Sequence, residues 1–117
     1  MSGKSSQTEI FCIGLNHEAA PVSIRERMAI SESELSEKCS LITNEEGFLE
    51  SVIVSTCNRI EIYCVADKKY ECDLERCFEF VFKSNDFSDL DYYKYKGKET
   101  LNHLCRVGCG LDSMVLG

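Results

Sequence analysis

One cysteine of this sequence lies where a thiol could act as a nucleophile. Cys57 stands between two segments with the composition of β-strands, in the stretch Thr56-Cys57-Asn58-Arg59, and turns between strands lie at protein surfaces. Arg59 would favour the reactive thiolate, and Asn58 tolerates the left-handed backbone that a tight turn can require. Because thiolates attack acyl carbons, the pattern predicts covalent acyl chemistry at Cys57. The alternative is that Cys57 is a small apolar residue that fills a gap beneath the hairpin.

His103 is the second residue whose type suits catalysis, because histidine can carry a proton near neutral pH. On a helical wheel of residues 98–108, His103 lies well off the apolar stripe. That stripe consists of Leu101, Leu104, Cys105 and Gly108. We therefore predict that His103 is not a core histidine and can act at a site. The alternative is a solvated surface histidine, and His17, after the first predicted strand, makes a weaker case.

The chain contains eight cysteines, which in a secreted mini-protein would indicate disulfides. They are residues 12, 39, 57, 64, 72, 77, 105 and 109. The polar start of the chain has no apolar signal segment, so we interpret them as reduced thiols that are mostly buried. Zinc is disfavoured because no C-x-x-C pair occurs and His103 points away from Cys105, although Cys105 and Cys109 share a helical face. We therefore predict no metal site.

The size and charge of the chain limit what it can do. With 117 residues, 44% of them hydrophobic, it can form one domain with one core. The formal net charge of −7 would repel a nucleic acid, which must then be held mainly elsewhere or touched at one end. The sequence has no glycine-rich phosphate loop and no stretch near the roughly 18 apolar residues of a membrane helix. These features predict a cytoplasmic protein without a membrane partner.

The periodicity of apolar residues predicts four strands and four helices. The strands are residues 10–15, 49–55, 60–66 and 92–96. In the third strand, Ile60, Ile62, Cys64 and Ala66 alternate with Glu61, Tyr63 and Val65. The helices begin at about residue 22, at a capping box of Ser31 and Glu34, around the apolar stripe Leu74, Cys77, Phe78 and Val81, and at Lys98, the last running to about Val107.

The order strand, helix, strand, strand, helix, strand is that of the ferredoxin-like βαββαβ fold. We therefore predict an α+β domain with an antiparallel sheet and additional helices. Residues 1–9 are expected to form a disordered lead, and residues 10–117 a single domain. The apolar end Met-Val-Leu-Gly predicts that this chain is part of a longer protein.

Three blocks of the sequence resemble glutamyl-tRNA reductase. They are Gly14-Leu15-Asn16-His17-Glu18-Ala19-Ala20-Pro21-Val22 with Arg25-Glu26-Arg27, then Ser55-Thr56-Cys57-Asn58-Arg59-Ile60-Glu61-Ile62-Tyr63, and finally His103-Leu104 with Gly110-Leu111-Asp112-Ser113-Met114-Val115-Leu116-Gly117. The resemblance runs from about residue 10 to the end of the chain, and its middle block is the most specific. The chain departs from the family at Gly108 and Cys109, where small residues of the alanine and serine kind are usual.

The resemblance implies an enzyme of tetrapyrrole biosynthesis that reduces glutamyl-tRNA to glutamate-1-semialdehyde with NADPH. This chain would be its N-terminal catalytic domain, without the NADPH-binding and dimerisation domains. The implied partners are glutamyl-tRNA, a second copy bound through the missing C-terminal domain, and glutamate-1-semialdehyde aminotransferase.

The same resemblance assigns roles to six residues. Cys57 resembles the nucleophile, and His103 resembles the histidine that assists catalysis. Glu61 is expected to support the same pocket. The residues that resemble the glutamate-binding set are Thr56, Arg59 and Ser113.

A non-catalytic ferredoxin-like module is the alternative from another class of protein. It would be a regulatory or protein-binding domain whose cysteines are all structural. It accounts for the fold and the acidic charge equally well. It does not account for the threonine, cysteine, asparagine and arginine that crowd one predicted turn.

Overall fold

The computed structural model describes residues 7–16, 30–56, 59–82 and 92–116, with side chains for all of these except residues 16, 32 and 109–116. The helix predicted from about residue 22, His17 and Cys57 lie outside these ranges. The strands are β1 (Thr8–Asn16), β2 (Phe48–Ser55), β3 (Arg59–Asp67) and β4 (Tyr93–Lys96). The helices are α1 (Glu32–Thr43), α2 (Leu74–Phe82) and α3 (Lys98–Leu116), with a 3-10 helix at Lys68–Asp73.

The four strands form one antiparallel sheet in the order β2-β3-β1-β4. β1 and β3 are the central neighbours in the sheet. Along the chain, α1 connects β1 to β2, and α2 lies between β3 and β4. This is the predicted ferredoxin-like arrangement of the α+β class. β1 begins at Thr8, so the predicted disordered lead of residues 1–9 extends two residues too far. Residues 1–6 lie outside the described part of the chain.

The main hydrophobic core lies between one face of the sheet and helices α1 and α2. From the sheet it takes mainly Phe11, Ile13, Leu15, Ile60 and Ile62. From α2 it takes the predicted stripe Leu74, Cys77, Phe78 and Val81. Removing these side chains from water is the main favourable contribution to folding.

Helix α1 begins where the sequence predicts, at the capping box of Ser31 and Glu34. The Ser31 N–H donates to the Glu34 carboxylate at 3.2 Å, and the Glu34 N–H donates to the Ser31 carbonyl at 3.0 Å. The turn after α1 contains Gly47 with φ +86°, where a Cβ atom would lie 2.2 Å from the ring of Tyr70. Only glycine combines that backbone conformation with such a close approach.

Helix α3 lies across the second face of the sheet and differs from the prediction in length and in the face that it buries. It continues beyond the predicted end to Leu116. The predicted apolar stripe is wrong, because Leu101 and Leu104 are 50% and 40% exposed and Cys105 is exposed. The described residues of α3 that are buried are Thr100, His103 and Val107. No helix in the described ranges is long and apolar enough to cross a membrane.

Polar contacts at the start of α3 explain its orientation. The Gly97 N–H donates to the Ile10 carbonyl at 2.8 Å, and the Thr100 hydroxyl donates to the same carbonyl at 3.4 Å. Gly97 has φ +58°, a left-handed conformation that lets the chain turn sharply from β4 into the helix. The helix is thereby anchored to β1 through Thr100, and His103, one turn later, faces the sheet.

Strand β3 is consequently buried on both faces at its centre. Ile62 and Cys64 face the main core, while Glu61 and Tyr63 face α3, and all four are buried. The alternation in the sequence correctly predicts a strand. The cover that α3 supplies over the polar side of β3 is a tertiary feature that alternation does not reveal.

Candidate active site

Glu61 is the centre of the buried polar site. Its side chain is a carboxyl group, which is usually exposed to solvent, yet its exposed fraction is 0%. It lies directly opposite Gly14 of β1, where a Cβ atom would be 2.7 Å from the Glu61 Cγ and 2.7 Å from the Ile60 carbonyl oxygen. Gly14 therefore leaves the space that the Glu61 side chain occupies.

Three side chains hydrogen bond to the Glu61 carboxylate. The Tyr63 hydroxyl donates to Oε1 at 2.7 Å, and the Tyr93 hydroxyl donates to Oε2 at 2.5 Å. His103 Nε2 lies 2.5 Å from the same Oε2 atom. Arg59 Nη1 is 3.6 Å from Oε2, an ion-pair distance that is too long for a hydrogen bond. We call these five residues the Glu61 cluster; they come from β3, β4 and α3.

His103 is a buried histidine, so the prediction that it does not belong to the interior is wrong. Its exposed fraction is 6%, and its ring stacks on Tyr95 with 4.6 Å between centroids. The Tyr93 ring lies 5.1 Å away, tilted by 58°. The helical wheel predicts the buried face of a helix from its apolar residues alone. His103 is buried because it hydrogen bonds to Glu61 and contacts tyrosine rings, so the wheel does not identify it.

The two phenols in the Glu61 cluster remain hydrogen-bond donors over a wide pH range. Burial raises the pKa of the Tyr63 and Tyr93 hydroxyls, and the hydrogen bonds that they donate to Glu61 raise it further. Both hydroxyls are therefore neutral near pH 7. They donate hydrogen bonds directly to Glu61 in a buried site.

Thr56 and Arg59 are held together at the end of the β2–β3 hairpin. The Thr56 N–H donates to the Arg59 carbonyl at 2.9 Å, and the Arg59 N–H donates to the Thr56 hydroxyl oxygen at 3.2 Å. The Arg59 side chain is 26% exposed. Its guanidinium can thus meet a ligand while one nitrogen stays beside Glu61. Cys57 and Asn58, between these two residues in the chain, lie outside the described part.

The structure therefore brings together four of the six residues expected at the site. Arg59, Glu61 and His103 are within one cluster, and Thr56 is hydrogen bonded to Arg59. The roles expected of Cys57 and Ser113 stay predictions, since Cys57 and the side chain of Ser113 are not among the described parts. Three tyrosines at the site were not predicted from the sequence: Tyr63, Tyr93 and Tyr95. The sequence indicated only Tyr63, because residues two apart on a strand share a face and Tyr63 follows Glu61 by two residues.

Three residues at the Glu61 cluster are of types that can bind a metal ion. Cys12 Sγ, a Glu61 carboxylate oxygen and a ring nitrogen of His103 lie within 4.8 Å of one another, and their types suit zinc. However, Nε2 and Oε2 are 2.5 Å apart, whereas two ligands of one tetrahedral zinc lie about 3.3 Å apart. The atoms are therefore spaced to share a proton, and the cluster as it stands is a hydrogen-bond network.

The described cysteines fall into buried and accessible groups. Burial raises the pKa of Cys64 to about 12 and that of Cys77 to about 11. Burial, followed by the charge of Glu61, raises the pKa of the Cys12 thiol still further. Cys72 and Cys105 are exposed. Since the thiolate is the reactive form, the three buried thiols are poor nucleophiles.

We expect Cys57 to react fastest with iodoacetamide among the eight cysteines of the folded protein near pH 7. Arg59, two residues away, favours its thiolate, whereas Cys72 stands between two acidic residues that disfavour a second negative charge. Peptide mapping by mass after brief labelling measures the order. The exposed Cys105 is the stringent comparison, and equal labelling of Cys105 and Cys57 would contradict the assignment of a special thiol.

The fold and the site together define a class of protein: a ferredoxin-like domain in which the helix after β4 places a histidine against a buried carboxylate of the central sheet. The sequence profile described as "Glutamyl-tRNAGlu reductase, N-terminal domain" matches residues 13–117. The chain belongs to this family.

Individual relatives agree with the family match. The glutamyl-tRNA reductase of Pseudoalteromonas translucida is 40% identical over 109 residues, which are 92% of this chain and 26% of that protein. That of Akkermansia muciniphila is 41% identical over 108 residues, 91% of this chain and 32% of that protein. A solved structure of glutamyl-tRNA reductase from Methanopyrus kandleri aligns with a TM-score of 0.65 and 26% identity, covering 90% of this chain and 23% of that one. The chain therefore spans about a quarter to a third of the length of these relatives.

Proposed function

We propose that this chain is the catalytic domain of a glutamyl-tRNA reductase, in which Cys57 takes the glutamyl group from tRNA as a thioester. The observation that carries the proposal is the buried Glu61–His103 pair, which meets Arg59 only two residues after the cysteine, in a chain of this family. A carboxylate, a histidine and a nearby nucleophile are the parts that acyl transfer requires.

The proposed step is an exchange of an ester for a thioester. The Cys57 thiol proton passes to His103, and the sulfur forms a bond to the ester carbonyl carbon. The resulting tetrahedral oxyanion collapses, the bond to the tRNA ribose oxygen breaks, and that oxygen takes the proton from His103. His103 or backbone N–H groups stabilise the oxyanion while it exists.

Arg59 is proposed to bind the side-chain carboxylate of the glutamyl group. Its planar guanidinium can hold a carboxylate with two parallel hydrogen bonds. The 3.6 Å separation from Glu61 leaves its donors available to a ligand, and the partial exposure of the side chain lets a ligand reach it. Thr56 and Ser113 are the other proposed glutamate-binding residues. Thr56 also orients Arg59 through the hydrogen bond at the hairpin end.

The other parts of the reaction are assigned outside this chain. NADPH would supply hydride to the thioester to release glutamate-1-semialdehyde. The 117 residues contain no dinucleotide-binding glycine loop, and a further domain is proposed to hold that cofactor. The net charge of −7 supports the proposal that most tRNA contacts lie elsewhere. A homodimer, a glutamate-1-semialdehyde aminotransferase partner and a cytoplasmic location complete the proposal.

The direct test is to incubate the chain with a small glutamyl thioester and to look for an acyl adduct by intact mass. We expect an adduct on the wild-type chain and none on Cys57→Ser, because the serine hydroxyl is a far weaker nucleophile at neutral pH. Cys105→Ser, which removes an exposed thiol, is the matched control and should keep the adduct. An adduct of equal yield on Cys57→Ser, or no adduct on any of the three proteins, would overturn the proposal.

A further inference from the structure

The Glu61 cluster contains two hydroxyl groups that the proposed reaction does not use. Tyr63 and Tyr93 donate to different oxygens of Glu61, at 2.7 Å and 2.5 Å. They reach it from different strands, since Tyr63 is on β3 and Tyr93 is on β4 at the edge of the sheet. A buried carboxylate with so many fixed donors is held in one orientation.

We infer that Tyr93 is a positioning residue: it fixes the Glu61 oxygen that holds His103 with its proton on Nε2, so that Nδ1 is the basic nitrogen offered to substrate. The assignment of a base rests on the proposed function. The position of the proton is a property of the folded chain and stands independently of it.

The identity of the donor in the His103 contact follows from the other partners of Glu61. Both carboxylate oxygens accept a hydrogen bond from a phenol, and an ionised carboxylate is an acceptor only. Because burial and the bonds to Glu61 raise the pKa of both phenols, neither hydroxyl loses its proton near neutral pH. With Glu61 acting as an acceptor only, the donor in the contact between Oε2 and Nε2 is the histidine nitrogen. The tautomer with its proton on Nε2 keeps the ring lone pair on Nδ1.

Tyr93 is singled out from Tyr63 because it shares an acceptor atom with His103. Both bond to Oε2, whereas Tyr63 bonds to Oε1. Tyr93 also lies directly opposite Gly14, the residue that makes room for Glu61. Without the Tyr93 hydroxyl, Oε2 can turn toward Arg59 Nη1, which is already 3.6 Å away, and its hold on His103 weakens.

Nitrogen spectroscopy of the histidine rings tests this without substrate. The chain has two histidines, so a long-range ¹H–¹⁵N spectrum of the labelled protein shows two rings, and a His17→Gln variant assigns them. We expect wild-type His103 to be a single Nε2–H tautomer near pH 7. Tyr93→Phe, which keeps the ring beside His103, should give a mixture of the two tautomers. A wild-type ring with its proton on Nδ1 would overturn the inference at once.

The matched control is Tyr92→Phe, which removes a phenol that donates to a different carboxylate, that of Glu75, at 2.8 Å. It should leave the His103 spectrum unchanged. In the adduct assay, Tyr93→Phe should be about tenfold slower than the wild-type chain, and Tyr92→Phe equal to it. If Tyr93→Phe is folded by circular dichroism and alters neither the tautomer nor the rate, Tyr93 does not position His103. A shifted tautomer with no adduct on any protein would instead disprove the proposed function alone.

Discussion

Replacement of Glu61 by alanine is expected to lower the free energy of unfolding by about 3–5 kcal/mol, because it removes the shared acceptor of a largely buried hydrogen-bond network. The hydroxyls of Tyr63 and Tyr93 and the Nε2–H of His103 would lose their common acceptor. Buried donors without partners cost about 1–3 kcal/mol each when water cannot reach them. Urea unfolding followed by circular dichroism measures the change.

Glu75→Ala is the matched control for this substitution. Glu75 also accepts from a tyrosine and a cation, Tyr92 at 2.8 Å and Lys94 at 3.0 Å, but its side chain is 30% exposed. Water can replace its contacts, so the expected loss is about 0–1 kcal/mol. Glu61→Gln, which keeps the side-chain volume, should still lower the free energy of unfolding by about 1–3 kcal/mol. One oxygen acceptor becomes an NH₂ group, which would face hydrogen-bond donors. Equal losses for Glu61→Ala and Glu75→Ala would show that the Glu61 cluster is not a source of stability.

Gly14→Ala is expected to destabilise the domain by about 1–3 kcal/mol, the usual range when a packed interior must accept one more carbon. The added Cβ would lie 2.7 Å from the Glu61 Cγ and 2.7 Å from the Ile60 carbonyl oxygen. The side chain could move, but the carbonyl belongs to the central strand of the sheet and cannot move without disturbing the β1–β3 pairing. Because Glu61 is displaced, the acyl adduct should also form more slowly.

A second glycine provides a control with the opposite sign. A Cβ at Gly108 would meet no atom of the described residues within 4 Å, and Gly108 lies inside helix α3. Gly108→Ala should therefore raise the free energy of unfolding by about 0.5–1 kcal/mol through its better helix propensity. Thermal unfolding of the two variants measured side by side separates them. A loss of stability in both would show that the space around Gly108 is not open.

The fold could be predicted to a large extent because it depends on local patterns. The stripe of α2, the capping box at Ser31 and the alternation in β3 each need only neighbouring residues to be recognised. Strand and helix order then leaves few possible topologies. The ferredoxin-like sheet follows from those patterns before any tertiary contact is known.

The site was less predictable because its contacts cross the fold. His103 and Glu61 are 42 residues apart, and Tyr93 and Glu61 are 32 apart. No periodicity in the sequence connects residues so far apart. The helical wheel therefore predicted that His103 lies outside the interior, and the tyrosines of β4 were not predicted at the site. The resemblance to a family supplied Arg59, Glu61 and His103 as a set. It offered no indication that two phenols complete the cluster.

The long separations within the Glu61 cluster also determine when it can form during folding. Loop closure over 32 and 42 residues has to precede the bonds from Tyr93 and His103, and the entropy cost of this closure is paid before those contacts stabilise the fold. A chain that ends before α3 has been synthesised would contain Cys57 and the β2–β3 hairpin but not His103. Chemical competence should consequently appear only in the last cooperative stage of folding, so that partly folded species carry no premature acyl-transfer reactivity.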